Sequence, residues 1–138
     1  MSKIPVVDVN IGEKEIQEVI KVVRSKNLTE GKNTHEFEIK FAKFTGAKYA
    51  TTVVNGTSAL HLALTALGIG PGDEVITTPF TFIAASNAIT FNGAIPIFVD
   101  VDKHTYNIDP EKIREAITDK TKAIMPVHIF GNPSNMKE

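Results

Sequence analysis

The sequence predicts an α/β fold in which a mostly parallel sheet is flanked by helices. Three observations predict it. From Lys48 onward short β-branched, apolar runs alternate with segments of helical period, an alternation that favours parallel strands joined by right-handed crossovers. Glycine and proline punctuate the ends of the helical segments, at Gly68-Ile69-Gly70-Pro71-Gly72 and at Asn92-Gly93. The dipeptide Asp109-Pro110 marks a helix start, with Asp as cap and Pro in the first turn.

Taken in order, residues 13–26 place Ile16, Val19, Ile20 and Val23 at helical spacing, and Phe37, Phe41 and Phe44 repeat that spacing in the next segment. Both segments read as amphipathic helices, and the Phe stripe is expected to face a core rather than to form an aromatic ligand box. The polar, glycine-bearing stretch between them, residues 25–33, reads as a loop. A strand is expected over 49–54, a helix over 57–67, a strand over 74–77, a helix over 82–91, a strand over 95–99, a helix over 110–117 and a strand over 123–127. No internal repeat or low-complexity tract interrupts the pattern.

Composition narrows the function classes. At 138 residues, with 42% hydrophobic and 22% charged, the chain is an ordinary globular sequence. Fifteen basic against sixteen acidic residues give a formal net charge of -1, so no broad attraction to nucleic acid or anionic membrane is implied, and phosphate binding has to be local. Without cysteine there is no disulfide and no thiolate metal site. No segment approaches the roughly 18 apolar residues that a membrane span requires, and a cytoplasmic location is the default expectation.

The chemistry-bearing stretch is Asn55-Gly56-Thr57-Ser58, a glycine turn that opens a helix. The first amides of a helix have no internal partners and carry partial positive charge, and Thr57 and Ser58 add hydroxyl donors, so a phosphate-bearing ligand fits the turn; the plain alternative is an N-cap. In open parallel sheets ligands sit beyond the carboxyl ends of the strands, which singles out three loops: 55–58, 78–82 and 128–132. Phe80 and Phe82 lie in the second, where either ring could stack on a planar cofactor or fill space between helix and sheet. Asp100 and Asp102 share a strand face if the strand over 95–99 continues, a pair that invites a metal or acid/base reading, yet nothing supplies the rest of a metal shell, so no metal is expected, and His104 beside them reads as a loop residue. His128 faces the ligand edge either as a contact or as a structural histidine bonded to a neighbouring loop. No Ser/His/Asp arrangement forms around His61.

Together, Asn55-Gly56-Thr57-Ser58-Ala59-Leu60, Gly70-Pro71-Gly72-Asp73-Glu74-Val75-Ile76, Thr78-Pro79-Phe80-Thr81-Phe82, Phe98-Val99-Asp100-Val101-Asp102, Tyr106-Asn107-Ile108-Asp109 and Pro126-Val127-His128-Ile129-Phe130-Gly131 resemble the DegT/DnrJ/StrS family of pyridoxal-phosphate-dependent nucleotide-sugar aminotransferases. The likeness runs in order from Ile11 to Met136. It implies the N-terminal portion of a fold-type-I PLP-transferase large domain, with residues 1–47 an N-terminal helical segment and 48–138 the first half of the PLP-binding α/β domain. It implies transfer of an amino group, usually from glutamate, to a keto-sugar carried on a nucleotide, with pyridoxal 5'-phosphate as cofactor. Carried onto this chain, Gly56, Thr57 and Ser58 would hold the cofactor phosphate and Phe82 would stack on the pyridine ring, a choice over Phe80 that rests on the resemblance alone. The loop around Gly31 resembles one that reaches a partner's active site, which implies a homodimer. The family's Schiff-base Lys and pyridine-nitrogen Asp match no segment here and are expected beyond Glu138, so no catalytic residue is assigned in this chain. The alternatives are a sugar dehydratase of the same family that uses the pyridoxamine form, and a non-catalytic phosphate-binding or regulatory module.

Overall fold

The computed structural model describes residues 8–138, so the first seven residues of the expected 1–47 segment lie outside the described residues. The chain divides into two compact units at Thr52 and Val53.

The first unit carries α1 (Glu13–Ser25) and α2 (Lys32–Thr45). Glu15 accepts the Gly12 amide at 2.8 Å and so caps α1, while Lys26 closes it in the left-handed conformation. The Phe stripe of α2 does not face a core. Phe37, Phe41 and Phe44 are all exposed and Ala42 is the one buried residue of the helix, as Ile16, Val19 and Val23 of α1 are exposed in their turn. The helical period that the sequence shows is real; what the unit lacks, among the described residues, is a surface to cover the stripes. The expected strand over 49–54 does not form either. A strand needs a ladder partner, and here the Thr52 amide donates instead to the Glu38 carboxylate at 2.8 Å, with the Thr52 hydroxyl donating to the same oxygen at 3.0 Å.

The second unit is the α/β layer. Its elements are α3 (Gly56–Ala66), β1 (Glu74–Thr77), α4 (Ala84–Phe91), β2 (Ile95–Phe98), α5 (Pro110–Ala116) and β3 (Thr121–Ile124), followed by a 3₁₀ turn at Ile129–Gly131. The three strands are parallel in the order β2-β1-β3. Central β1 reads Glu-Val-Ile-Thr; its side chains alternate between faces, and both faces are covered. Val75 packs with Leu64 and Leu60 of α3, with Ala88 and Ile89 of α4 and with Ile69 and Ala94. Ile76 packs on the other face with Val99, Ile108 and Ile113 of α5. Three layers result: α3 and α4, the sheet, and α5.

Helix ends follow the residues expected to make them. Asp109 accepts the Glu111 amide at 2.9 Å with Pro110 in the first turn of α5. Gly93, at φ +74, leads from α4 into β2, and a Cβ there would stand 3.1 Å from Pro71 Cγ.

Ile89→Ala, which empties a fully buried site, is expected to cost about 2–5 kcal/mol in urea denaturation, whereas Gly93→Ala, which strains one backbone position, costs about 1 kcal/mol; a cost below half a kcal/mol for Ile89→Ala would remove it from the core. In the first unit the Thr52 amide and then its hydroxyl hold the Glu38 carboxyl below its ordinary value. A carboxylate favoured by the folded state contributes stability at neutral pH that is lost as pH falls through its folded value. Hydrogen-exchange protection of the Thr52 amide should therefore fall in acid in the native chain and show no such step in Glu38→Gln.

Candidate phosphate and cofactor site

Helix α3 ends beside the start of β1, to which residues 67–73 return the chain, and it packs along the sheet through Leu60 and Leu64. Its eleven residues rise about 16 Å, a little more than the roughly 13 Å of a four-residue strand, so its N-terminus lies toward the carboxyl ends of the strands. Asn55 caps that terminus: its side chain accepts the Ser58 amide at 2.9 Å, and its carbonyl accepts the Ala59 amide at 3.1 Å. The N-cap reading of the turn is therefore correct as far as Ser58 N–H goes. It leaves four donors, the Gly56 and Thr57 amides and the Thr57 and Ser58 hydroxyls, with no partner among the described residues. Donors of this kind at a helix start, with the macrodipole behind them, match a phosphate dianion.

The second loop leaves β1 through two buried threonines. Thr77 donates its hydroxyl to the Met125 carbonyl at 2.9 Å, which ties the end of β1 to the exit of β3, and the Thr78 hydroxyl accepts the Phe80 amide at 3.1 Å. The two phenylalanines then part. Phe80 turns into a ring cluster, 5.7 Å from Tyr106 and 6.4 Å edge-on from Phe130. Phe82 lies outside it, 77% exposed, just ahead of α4.

The third loop is held from within. His128 Nδ1 accepts the Ser134 amide at 3.0 Å, which puts any ring proton of the neutral form on Nε2, and Ser134 donates its hydroxyl to the Val127 carbonyl at 3.2 Å. His128 is in this respect a structural histidine that fastens a neighbouring loop. Asn107, which the residue reading passed over, is the main fastener: buried to 3%, it donates to the Asn132 and Pro133 carbonyls at 3.0 and 3.1 Å and accepts the Ile129 amide at 3.1 Å. Nothing near Asn107 in sequence announces this, because all three partners lie more than twenty residues downstream.

The acidic pair does not form a site. Asp100 accepts the Val101 amide, and Asp102 caps a turn by accepting the Thr105 amide at 2.8 Å, the Thr105 hydroxyl at 2.9 Å and the His104 amide at 3.1 Å. Those bonds, the Thr105 amide foremost, hold the Asp102 carboxyl below its usual range. Among the described residues no cluster of metal-ligating side chains occurs, and no helix is long and apolar enough to cross a membrane. His61 stacks edge-on against Phe91 between α3 and α4.

Comparison with known proteins bears on this edge as a whole. The chain is 51% identical over 126 residues to the spore coat polysaccharide biosynthesis protein SpsC of Bacillus subtilis, covering 91% of this chain and 32% of that protein. It is 48% identical over 139 residues to the GDP-perosamine synthase of Escherichia coli O157:H7, covering 100% of this chain and 38% of the relative. It superposes on the putative sugar aminotransferase Spr1654 from Streptococcus pneumoniae, in its PMP form, with a TM-score of 0.89 at 37% identity, over 97% of this chain and 34% of that one. The chain spans about a third of the length of the curated relatives it matches. The model of the DegT/DnrJ/EryC1/StrS aminotransferase family matches residues 9–138, and with a parallel α/β layer of the same form this chain belongs to that family.

Proposed function

We propose that this chain is the phosphate-gripping part of a pyridoxal-phosphate-dependent enzyme that moves an amino group from an amino acid, glutamate for preference, to the keto carbon of a nucleotide-linked sugar. The observation that carries the reading is the set of four unspent donors at the start of α3. They fit the cofactor's phosphate in number and charge, and they stand at the edge where open α/β sheets receive ligands. Structures of Spr1654 in apo, PLP and PMP forms support the choice of cofactor, and the name of the GDP-perosamine synthase supports a sugar nucleotide.

When bound, pyridoxal phosphate supplies the electron sink for the transfer, and the protein supplies position and electrostatics. The Gly56 and Thr57 amides and the Thr57 and Ser58 hydroxyls hold the phosphate. The Phe82 ring, free of the cluster that engages Phe80, would stack on the cofactor's pyridine ring. The lysine that anchors the cofactor and the carboxylate that faces its ring nitrogen are assigned to sequence outside residues 1–138. A homodimer acting in the cytoplasm, with the loop around Gly31 near a second copy's site, belongs to the same reading.

The direct test is turnover by the full-length protein with glutamate and a panel of keto-sugar nucleotides. Glutamate-dependent appearance of an amino-sugar nucleotide is expected; a deoxygenated sugar formed without amino transfer would replace the reading with the family's dehydratase chemistry, and a protein that neither turns over nor binds pyridoxal phosphate would end it. For the grip itself, Thr57→Ala and Ser58→Ala should each weaken pyridoxal-phosphate binding about tenfold, the value of one charge-assisted hydrogen bond of about 1.4 kcal/mol. Phe82→Ala should weaken it about fivefold, since stacking adds about 1 kcal/mol. Absorbance titration of the apoprotein reads all three.

A further inference from the structure

We propose that Asn107 is a positioning residue for the cofactor ring: by fixing the backbone at 129–133 it seats Phe130 against Phe80, and so sets the strap that presents Phe82. The inference rests on the cofactor reading above for the role of Phe82, and on the structure for everything between Asn107 and Phe80.

The Asn107 side chain is buried and all three of its contacts go to one loop. Two N–H donors meet two consecutive carbonyls while the side-chain oxygen meets Ile129 N–H, so the carboxamide spans the turn from both sides. A side chain that bonds its own element stabilises that element; one that bonds only a distant loop positions it. The backbone on either side of this clamp bears strain. Tyr106, immediately before Asn107, sits at φ +59, and Phe130, inside the clamped loop, at φ +51. For bulky L-residues the left-handed region costs on the order of 1 kcal/mol or more, and it persists only where the surroundings over-determine it. The two strained residues are the two whose rings meet Phe80. Strained backbone and ring contacts thus converge on one residue, Phe80.

Phe80 in turn sits midway along the short link between β1 and α4. At one end β1 is locked by the Thr77 hydroxyl on the Met125 carbonyl, within the link the Thr78 hydroxyl accepts the Phe80 amide, and at the other end α4 is locked by Ala88 and Ile89 in the core. With both ends and its middle held, the link has little freedom left to move Phe82. Release of the middle would let the exposed ring wander, and a ring that wanders pays ordering entropy when it stacks.

The test uses the full-length protein and four variants: Asn107→Asp, which keeps an acceptor for Ile129 N–H and removes both donors; Asn107→Ala; Phe130→Leu, at a residue 88% exposed that no core cluster needs; and Phe82→Leu. Pyridoxal-phosphate affinity, the visible circular-dichroism band of the bound cofactor and the melting temperature of the apoprotein are read for each. Asn107→Asp and Phe130→Leu are expected to raise the dissociation constant about three- to tenfold and to diminish the dichroic band, and in a Phe82→Leu background Asn107→Asp should change the dissociation constant less than twofold. A drop in melting temperature with affinity and dichroism unchanged overturns the proposal, as does an Asn107→Asp effect that survives in Phe82→Leu. If Asn107→Ala fails to fold, Asn107→Asp and Phe130→Leu decide the matter alone. A wild-type protein that takes up no pyridoxal phosphate fails the underlying reading and this one with it, whereas equal binding by wild type and variants fails this one only.

Discussion

Everything in the second unit depends on β1 being surrounded. Its two edges are hydrogen-bonded to β2 and β3, and its two faces are covered by α3 and α4 on one side and α5 on the other. A strand of four residues in that position has no polar group to leave over. Its last side chain therefore reaches sideways, Thr77 to the Met125 carbonyl, and the chain beyond it inherits a fixed direction. The carboxyl edge is rigid because the strand beneath it cannot shift without breaking two ladders at once.

On that edge the division of labour is between groups that are spent and groups that are not. Asn55 Oδ1, Asp102 Oδ1, His128 Nδ1, the Ser134 hydroxyl and both ends of the Asn107 carboxamide are committed to the backbone of neighbouring turns. The Gly56 and Thr57 amides and the Thr57 and Ser58 hydroxyls have no partner among the described residues, and Phe82 has no ring partner there where Phe80 has two. The proposed grip draws on what folding has left unpaired, and the turns around it are held by what folding has used.

Much of this was legible in the residues. Strand 74–77 and the starts of α3 and α5 were readable because β-branched runs and the Asn and Asp caps act locally. The run 49–54 was misleading because strand propensity says nothing about a partner, and Thr52 found a carboxylate instead. The Phe37, Phe41 and Phe44 stripe gave the right period and the wrong burial, since period reports a face and not what covers it. That Phe80 enters a ring cluster and Phe82 does not was beyond residue chemistry, because Tyr106 and Phe130 come from later in the chain. Asn107 was hidden for the same reason as the ring cluster: its partners come from the far side of α5 and β3, and no local pattern encodes them.

The order of the strands also bears on how quickly the molecule assembles. Central β1 pairs first with a strand beyond α4 and then with one beyond α5, so neither ladder can close until a long stretch of chain has been brought back on itself. Loop closure on that scale is slow compared with helix formation, and parallel pairing of sequence-distant segments sits at the high-contact-order end of folding rates. Helices α3 and α4, joined through Asn92 to the backbone of His61 and the hydroxyl of Thr65, close a span longer still than the one between β1 and β2. Helix pair and sheet are therefore expected to form together rather than in turn, since the cluster of Leu64, Val75, Ala88 and Ile89 draws on α3, β1 and α4 at once.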